Sequence, residues 1–242
     1  MDVVKFTLSG KTAFFKNPEV NSYLYFTFGH IHKVALLGIC GAVLGLKGYN
    51  EQKENAYPEF YEKLQGLKVA IVPKNENGYI PKKIQQFNNS VGYASFEQGG
   101  NLIVREQWME SPVWDIYIRL DCDIAKQLAE CFIQGTCTYI PYLGKNDHPA
   151  NITDVKIFNN VKEVSQLTRI HSLFIKSNVI FAEIDWDEFE DETTYKYEES
   201  LPVSLEQEMN LYQYKKFIYT NFPIESYDLP IYNVDQMNLC FF

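Results

Sequence analysis

Histidine is scarce in this sequence, four among 242 residues, and none of the five cysteines belongs to a CxxC pair. A zinc site built on clustered Cys and His is therefore not expected, and neither is any other metal or cofactor. Cys40, Cys122, Cys131, Cys137 and Cys240 are odd in number and lie mostly in apolar stretches. That predicts reduced, buried thiols in a cytoplasmic protein. The apolar run over residues 34–46 is 13 residues long. Crossing a bilayer takes roughly 20, so the run reads as a buried helix and no membrane partner is expected. Met1-Asp2 leads directly into strand-like sequence, which predicts no secretory leader. Walker, dinucleotide-binding and nucleophile-elbow patterns are missing as well, which leaves nucleotide hydrolysis and serine-type catalysis without support.

Positive charge is also short. Lys and Arg total 22 against 31 Asp and Glu, a net charge of −9, which argues against a freestanding nucleic-acid binder. The excess is confined to one part of the chain: residues 1–150 hold 15 basic and 15 acidic side chains, and residues 151–242 hold 7 and 16. Residues 1–50 carry five lysines against Asp2 and Glu19. A locally basic face on an acidic chain can still bind a polyanion, above all inside a complex with basic subunits. Aromatics, by contrast, are plentiful. The 17 Tyr and 17 Phe favour sheets with aromatic faces.

Periodicity predicts a strand from residue 5, a helix over 34–46, a short helix over 57–64 and a strand over 67–72 ended by Pro73. Residues 74–100 are polar and aperiodic, and read as a long hairpin or excursion flanked by Lys82, Lys83 and Arg105. Gly99-Gly100 marks its tip or a turn, and Trp108 and Trp114 anchor its base. A strand over 113–120 follows, then a helix over 124–133 capped by Asp121 or Asp123 and ended by Gly135. A strand over 136–140 and a turn-rich loop over 141–149 complete this part. The order is the β-α-β-β-α-β plan of the ferredoxin-like fold, which RNA-recognition domains share. Residues 1–150 therefore form an α+β, ferredoxin-like domain, and residues 151–242 a β-rich extension with strands over 153–158, 171–174, 179–185, 193–199 and 215–220.

Two features point to a ligand. Gly38, Gly41 and Gly45 share one helix face at spacings of three and four. Glycine costs a helix roughly 1 kcal/mol against alanine, so this face is expected to admit another backbone closely. Ahead of the helix stand His30, His32 and Lys33. Cations here oppose the positive N-terminal end of the helix dipole, and a bound anion would resolve the conflict; the alternative is that they point into water. His148, beside Lys145 and Asp147, is a turn residue or a contact to RNA or a partner, while His171 reads as a core histidine. The run 185–192 carries six carboxylates in eight residues without a calcium-loop glycine. It reads as a solvated hairpin tip, or as a surface for a basic partner.

An ordered set of segments resembles a known family. Phe6-Thr7-Leu8-Ser9-Gly10-Lys11-Thr12-Ala13-Phe14-Phe15-Lys16, then His32-Lys33-Val34-Ala35-Leu36-Leu37-Gly38-Ile39-Cys40-Gly41, is similar to the N-terminal signature of the Cas five family of CRISPR-associated RAMP proteins. The resemblance continues through Glu106-Gln107-Trp108, Trp114-Asp115-Ile116 and Tyr142-Leu143-Gly144-Lys145-Asn146-Asp147-His148 to Glu198-Glu199-Ser200-Leu201-Pro202-Val203 and Phe217-Ile218-Tyr219-Thr220-Asn221. It spans nearly the whole chain and is most like the type I-B branch. It implies an RNA-recognition-like (RAMP) domain whose β-hairpin thumb occupies about 81–110. It also implies a noncatalytic Cascade subunit that caps the crRNA 5′ handle. Such a subunit contacts the backbone and large subunits, and meets target DNA through the complex. The handle contacts expected on this basis are Lys11, Phe14, Phe15, Lys16, His30, His32 and Lys33, followed by Lys145 and His148, then Lys82, Lys83 and Arg105.

Two rival readings stand beside it. In the type I-C branch the subunit itself cuts the crRNA precursor, and His30 or His32 with Tyr23 or Tyr25 and Lys33 could supply the acid, base and cation that metal-free cleavage needs. A scaffold that binds only protein fits the acidity. Convergence of Lys11, Lys16, His32, Lys33 and Lys145 on one face would favour RNA.

Overall fold

The computed structural model describes residues 1–19, 23–164, 168–177, 179–183 and 193–242. The acidic run 185–192 lies outside the described residues, as does the end of the strand expected over 179–185. The elements in chain order are β1 (Val3–Ser9), β2 (Thr12–Ala13), α1 (Lys33–Leu44), α2 (Glu59–Leu64), β3 (Val69–Pro73), β4 (Lys82–Asn88), β5 (Ile103–Glu110), β6 (Val113–Arg119), α3 (Asp123–Gln134) and β7 (Asn151–Phe158). There follow β8 (Lys162–Glu163), β9 (Phe174–Ile175), β10 (Ile180–Phe181), β11 (Lys196–Leu205), β12 (Tyr212–Thr220), β13 (Ile224–Ser226), β14 (Ile231–Val234) and β15 (Met237–Cys240).

The central sheet runs β3-β6-β1-β7 with every neighbour antiparallel. That is the ferredoxin-like order, and the fold is α+β. Its fourth strand, however, is β7 and not residues 136–140. The amides of Thr138 and Tyr139 donate instead to the carbonyls of Val43 and Ala42. The last turn of α1 has free carbonyls, and this segment satisfies them rather than joining the sheet. The sheet thus takes its edge strand from beyond residue 150.

Helix α1 is apolar on nearly every side because it is packed on nearly every side, by α2, α3 and β11. Its N-cap is His32, whose Nδ1 accepts from the Ala35 amide at 3.3 Å. It ends with Gly45 at φ +74°, where the Leu46 amide donates to Gly41 and the Gly45 amide to Ala42, a Schellman turn. Helix α3 starts at Cys122 without a side-chain cap, so neither Asp121 nor Asp123 plays that part.

One core joins both sides of position 150: Phe6, Leu8, Leu36, Leu37 and Trp114 cluster with Leu201, Leu205 and Phe217. Long strands β11 and β12 pair over nine positions. The final strands β13 to β15 were not anticipated; their apolar residues (Ile224, Ile231, Val234, Leu239) fill two smaller clusters that also bury Ile170, Phe174 and Tyr117. Cys40 and Cys240 are buried as expected, but Cys122 and Cys137 are exposed.

The hairpin stands where the loss of periodicity placed it. β4 and β5 pair from Lys82↔Met109 to Asn88↔Ile103, and β2 adds two residues against β5. Residues 89–102 form its end, with Gly99 at φ +79°. Trp108 and Trp114 sit at its base, where Trp114 is fully buried.

Candidate nucleic-acid interface

A groove of about 1280 Å³ runs between α1, the hairpin and the loop after α3. Its floor is α1, through Val34, Ala35, Gly38, Ile39 and Ala42. A Cβ built on Gly38 would meet nothing within 4 Å, so this glycine leaves backbone open to the groove. Gly41 does something different: its Cβ would come within 2.6 Å of Phe60 Cβ, which lets α2 lie close. Of the glycine face, then, one residue faces the ligand space and one accommodates a neighbouring helix.

One wall is the hairpin face bearing Phe87, Val104 and Glu106; the other is the loop face bearing Tyr139, Ile140, Tyr142 and Lys145. Strand alternation puts Phe87 on the groove side and Lys82 on the other. The loop crosses β2 so tightly that a Cβ on Gly144, at φ +91°, would lie 1.8 Å from the Phe14 carbonyl oxygen. Glu106 is 5% exposed. It accepts the Lys145 ammonium at 3.0 Å on both oxygens and the Trp108 indole N–H at 2.8 Å. Lys145 also lies 5.7 Å from the Phe14 ring centroid and 5.2 Å from that of Phe87. Lys16 sits 4.1 Å over the ring of Tyr25.

The groove therefore gathers five of the expected contacts: Phe14, Phe15, Lys16, His32 and Lys145. Phe14 and Phe15 present only slivers of surface. Lys11 and Lys33 do not line it, so the five-residue convergence is partial. The cationic helix start is corrected. His32 is 3% exposed and caps the helix through Nδ1, and burial holds its pKa near 3. His30 is equally buried; burial, then Lys82, brings its pKa to about 3. Lys33 turns away and donates to the main-chain oxygen of Phe242 at 3.1 Å; burial, then Lys68, lowers it to about 8. His30 and His32 resolve the conflict with the helix dipole by being buried in the neutral form, whereas Lys33 keeps its charge and directs it to the Phe242 oxygen.

The remaining contacts are dispersed. His148 is buried, with Nδ1 2.6 Å from the Thr12 hydroxyl and its ring edge-on to Trp108. Burial lowers its pKa, against the pull of Asp147. Lys83 pairs with Glu110 at 3.3 Å, and Arg105 donates across the hairpin to Gln86 at 2.8 Å. His30 and Lys82 line a second, smaller cavity. His171 accepts the Asn238 amide at 2.9 Å, a structural role as expected.

Sequence reasoning missed Tyr49, Phe87, Tyr139 and Tyr212, all of which line the groove. Alternation of Lys83, Gln85 and Phe87 carried the signal for Phe87. No local pattern marks the other three, which arrive from separate elements. Among the described residues no group of three His, Cys, Asp or Glu could hold a metal ion, and no helix is long and apolar enough to cross a membrane.

No family model matches this chain, and no curated protein matches it. Solved structures are similar. A CRISPR protein from Archaeoglobus fulgidus shares a TM-score of 0.55 at 12% identity, covering 99% of this chain and 98% of that one. A chain of a CRISPR RNA-guided surveillance complex gives 0.53 at 10% identity, covering 90% and 91%. A chain of a type III-B Cmr-beta complex bound to cognate target RNA and AMPPnP gives 0.50 at 8% identity, covering 93% and 86%. The α+β, ferredoxin-like fold is thus shared with these structures. The fold is that of CRISPR-associated proteins, as the sequence resemblance implies.

Proposed function

We propose that this protein is a noncatalytic subunit of a type I CRISPR surveillance complex, of the Cas five kind, that holds the 5′ handle of crRNA in the groove. The observation that carries this is the groove itself: an open helix backbone at Gly38 between two aromatic walls, one of them a hairpin. Single-stranded nucleic acid is held by such stacking surfaces with cations spaced along the strand. Lys16, Lys47 and Lys145 line the groove, but Lys47 is 3.6 Å from Glu51 and Lys145 is held by Glu106. Few cations are free, which fits a subunit that binds RNA weakly alone and firmly beside a basic backbone subunit. The absence of catalysis in this reading rests on the histidines: His30, His32 and His148 are buried and burial lowers the basicity of each, unlike a base and acid poised over a ribose.

The paired charges also favour a second reading, in which the groove takes an apolar segment of a protein partner. Labelled repeat RNA incubated in EDTA, with and without the backbone subunit, separates the possibilities. Intact RNA bound tightly once the backbone subunit is present, and weakened by Phe87→Ala with Tyr139→Ala, is the expected result. Site-specific cleavage would make the protein a processing nuclease. No binding under either condition would leave the protein-only reading.

A further inference from the structure

The second cavity, about 390 Å³, opens on the side of the hairpin base opposite the groove. His30, 1% exposed, forms part of its lining. The Trp114 indole N–H donates to His30 Nδ1 at 3.2 Å. An indole nitrogen only donates, so Nδ1 is the acceptor and the proton of the neutral ring sits on Nε2. That Nε2–H is buried and has no hydrogen-bond partner among the described residues. The ring is held in place: Tyr197 stands edge-on to it at 4.6 Å, and Glu199 fixes both ends of that contact by accepting from the Tyr197 hydroxyl and from the Gly29 amide.

The rest of the lining is Tyr79, Ile80, Tyr195 and Tyr197, the glycines Gly29 and Gly78, the polar Asn77, and the ammonium-bearing Lys82 and Lys196, the latter 4.0 Å from Glu198. Lys82 is exposed and has no carboxylate within ion-pair distance among the described residues. An occupant must therefore offer a hydrogen-bond acceptor to a neutral N–H, flat apolar surface to tyrosines, and negative charge to lysines. A phenyl ring lacks the acceptor, and a bare oxyanion lacks the flat surface. A nucleobase with its phosphate has all three.

We propose that this cavity binds one unpaired nucleotide, with an in-plane acceptor of the base on His30 Nε2–H and the phosphate on Lys82 and Lys196. The nucleotide comes free or as part of a strand. The site stands apart from the groove and does not depend on RNA lying there.

The test uses the full chain labelled with nitrogen-15 at histidine, and follows the His30 Nε2 resonance while AMP, GMP, CMP or UMP is added. A single-stranded RNA pentamer is titrated separately. A saturable shift with at least one mononucleotide, weakened threefold or more by Lys82→Ala and restored by Lys82→Arg, is expected for a free nucleotide. The same pattern with the pentamer alone assigns the nucleotide to a strand. No shift with either probe overturns the proposal, as does an equal shift with inorganic phosphate or with phenylalanine. RNA binding that responds to groove substitutions while the His30 resonance stays still would overturn this site and leave the groove reading intact; the reverse pattern would separate them the other way.

Discussion

Lys145 and Glu106 form a bidentate pair at 3.0 Å on each oxygen, and through it the loop after α3 is fastened to the second strand of the hairpin. The carboxylate is buried and the ammonium only partly so. Two walls of the groove thus share one ion pair, reinforced on the Glu106 side by the Trp108 indole.

Breaking one partner should cost more than removing both. Lys145→Met leaves Glu106 buried without its cation, and should destabilise the fold by about 1–3 kcal/mol. Adding Glu106→Gln to the same chain should return most of that loss. Urea unfolding of the single and double variants measures the coupling, and strictly additive effects would show that the pair contributes nothing.

Two glycines should respond in opposite ways. Gly144→Ala places a methyl group against the Phe14 carbonyl in a left-handed backbone, and should cost more than about 3 kcal/mol or prevent folding. Gly38→Ala should be neutral or stabilising by up to about 1 kcal/mol, since helix propensity improves and nothing is touched. Gly38→Leu should leave the melting temperature within a few degrees while lowering RNA affinity at least tenfold. Unchanged affinity would remove the groove from the binding reaction.

Acid should destabilise the protein well above the range where carboxylates titrate. His30 and His32 have folded pKa values near 3 against about 6.5 unfolded. Between those limits the unfolded chain holds more protons than the native one, so stability is full above pH 6.5 and falls as pH drops. Each ring contributes about 1.4 kcal/mol per pH unit, or about 4 kcal/mol for both between pH 7 and pH 5. His32→Asn keeps a cap acceptor that does not titrate, and should roughly halve the slope seen by denaturant unfolding across that interval.

Binding of RNA to the isolated chain should depend weakly on salt. With Lys16, Lys47 and Lys145 as the groove cations, the slope of log K against log salt should be no steeper than about −2 for a single strand. Phe87→Ala should lower affinity by about 1–3 kcal/mol without changing that slope. A steeper slope would locate the phosphate contacts on a different face.

What could be read from the sequence was what local chemistry decides. The excursion that carries the hairpin announced itself by aperiodic polar residues over 74–100, and α3 by the stripe of Leu128, Ala129 and Phe132. What could not be read depended on distant partners. Residues 136–140 have strand-forming side chains, yet Thr138 and Tyr139 spend their amides on α1. His30, His32 and Lys33 are adjacent in sequence and cationic by type. The chain sends one to a second cavity, one to a helix cap and one to the Phe242 oxygen, because burial makes neutrality or a buried acceptor the better outcome. Phe14, Phe15, Lys16 and Lys145 were expected only from the family resemblance, and it is the close approach of two loops at Gly144 that brings them together.

The bonds from Thr138 and Tyr139 to the end of α1 set a mechanical asymmetry. The loop wall and the helix floor are joined by main-chain bonds, while the hairpin meets the loop through side chains, the Lys145–Glu106 pair and the Trp108–His148 ring contact. The width of the groove is therefore set by where the hairpin wall stands.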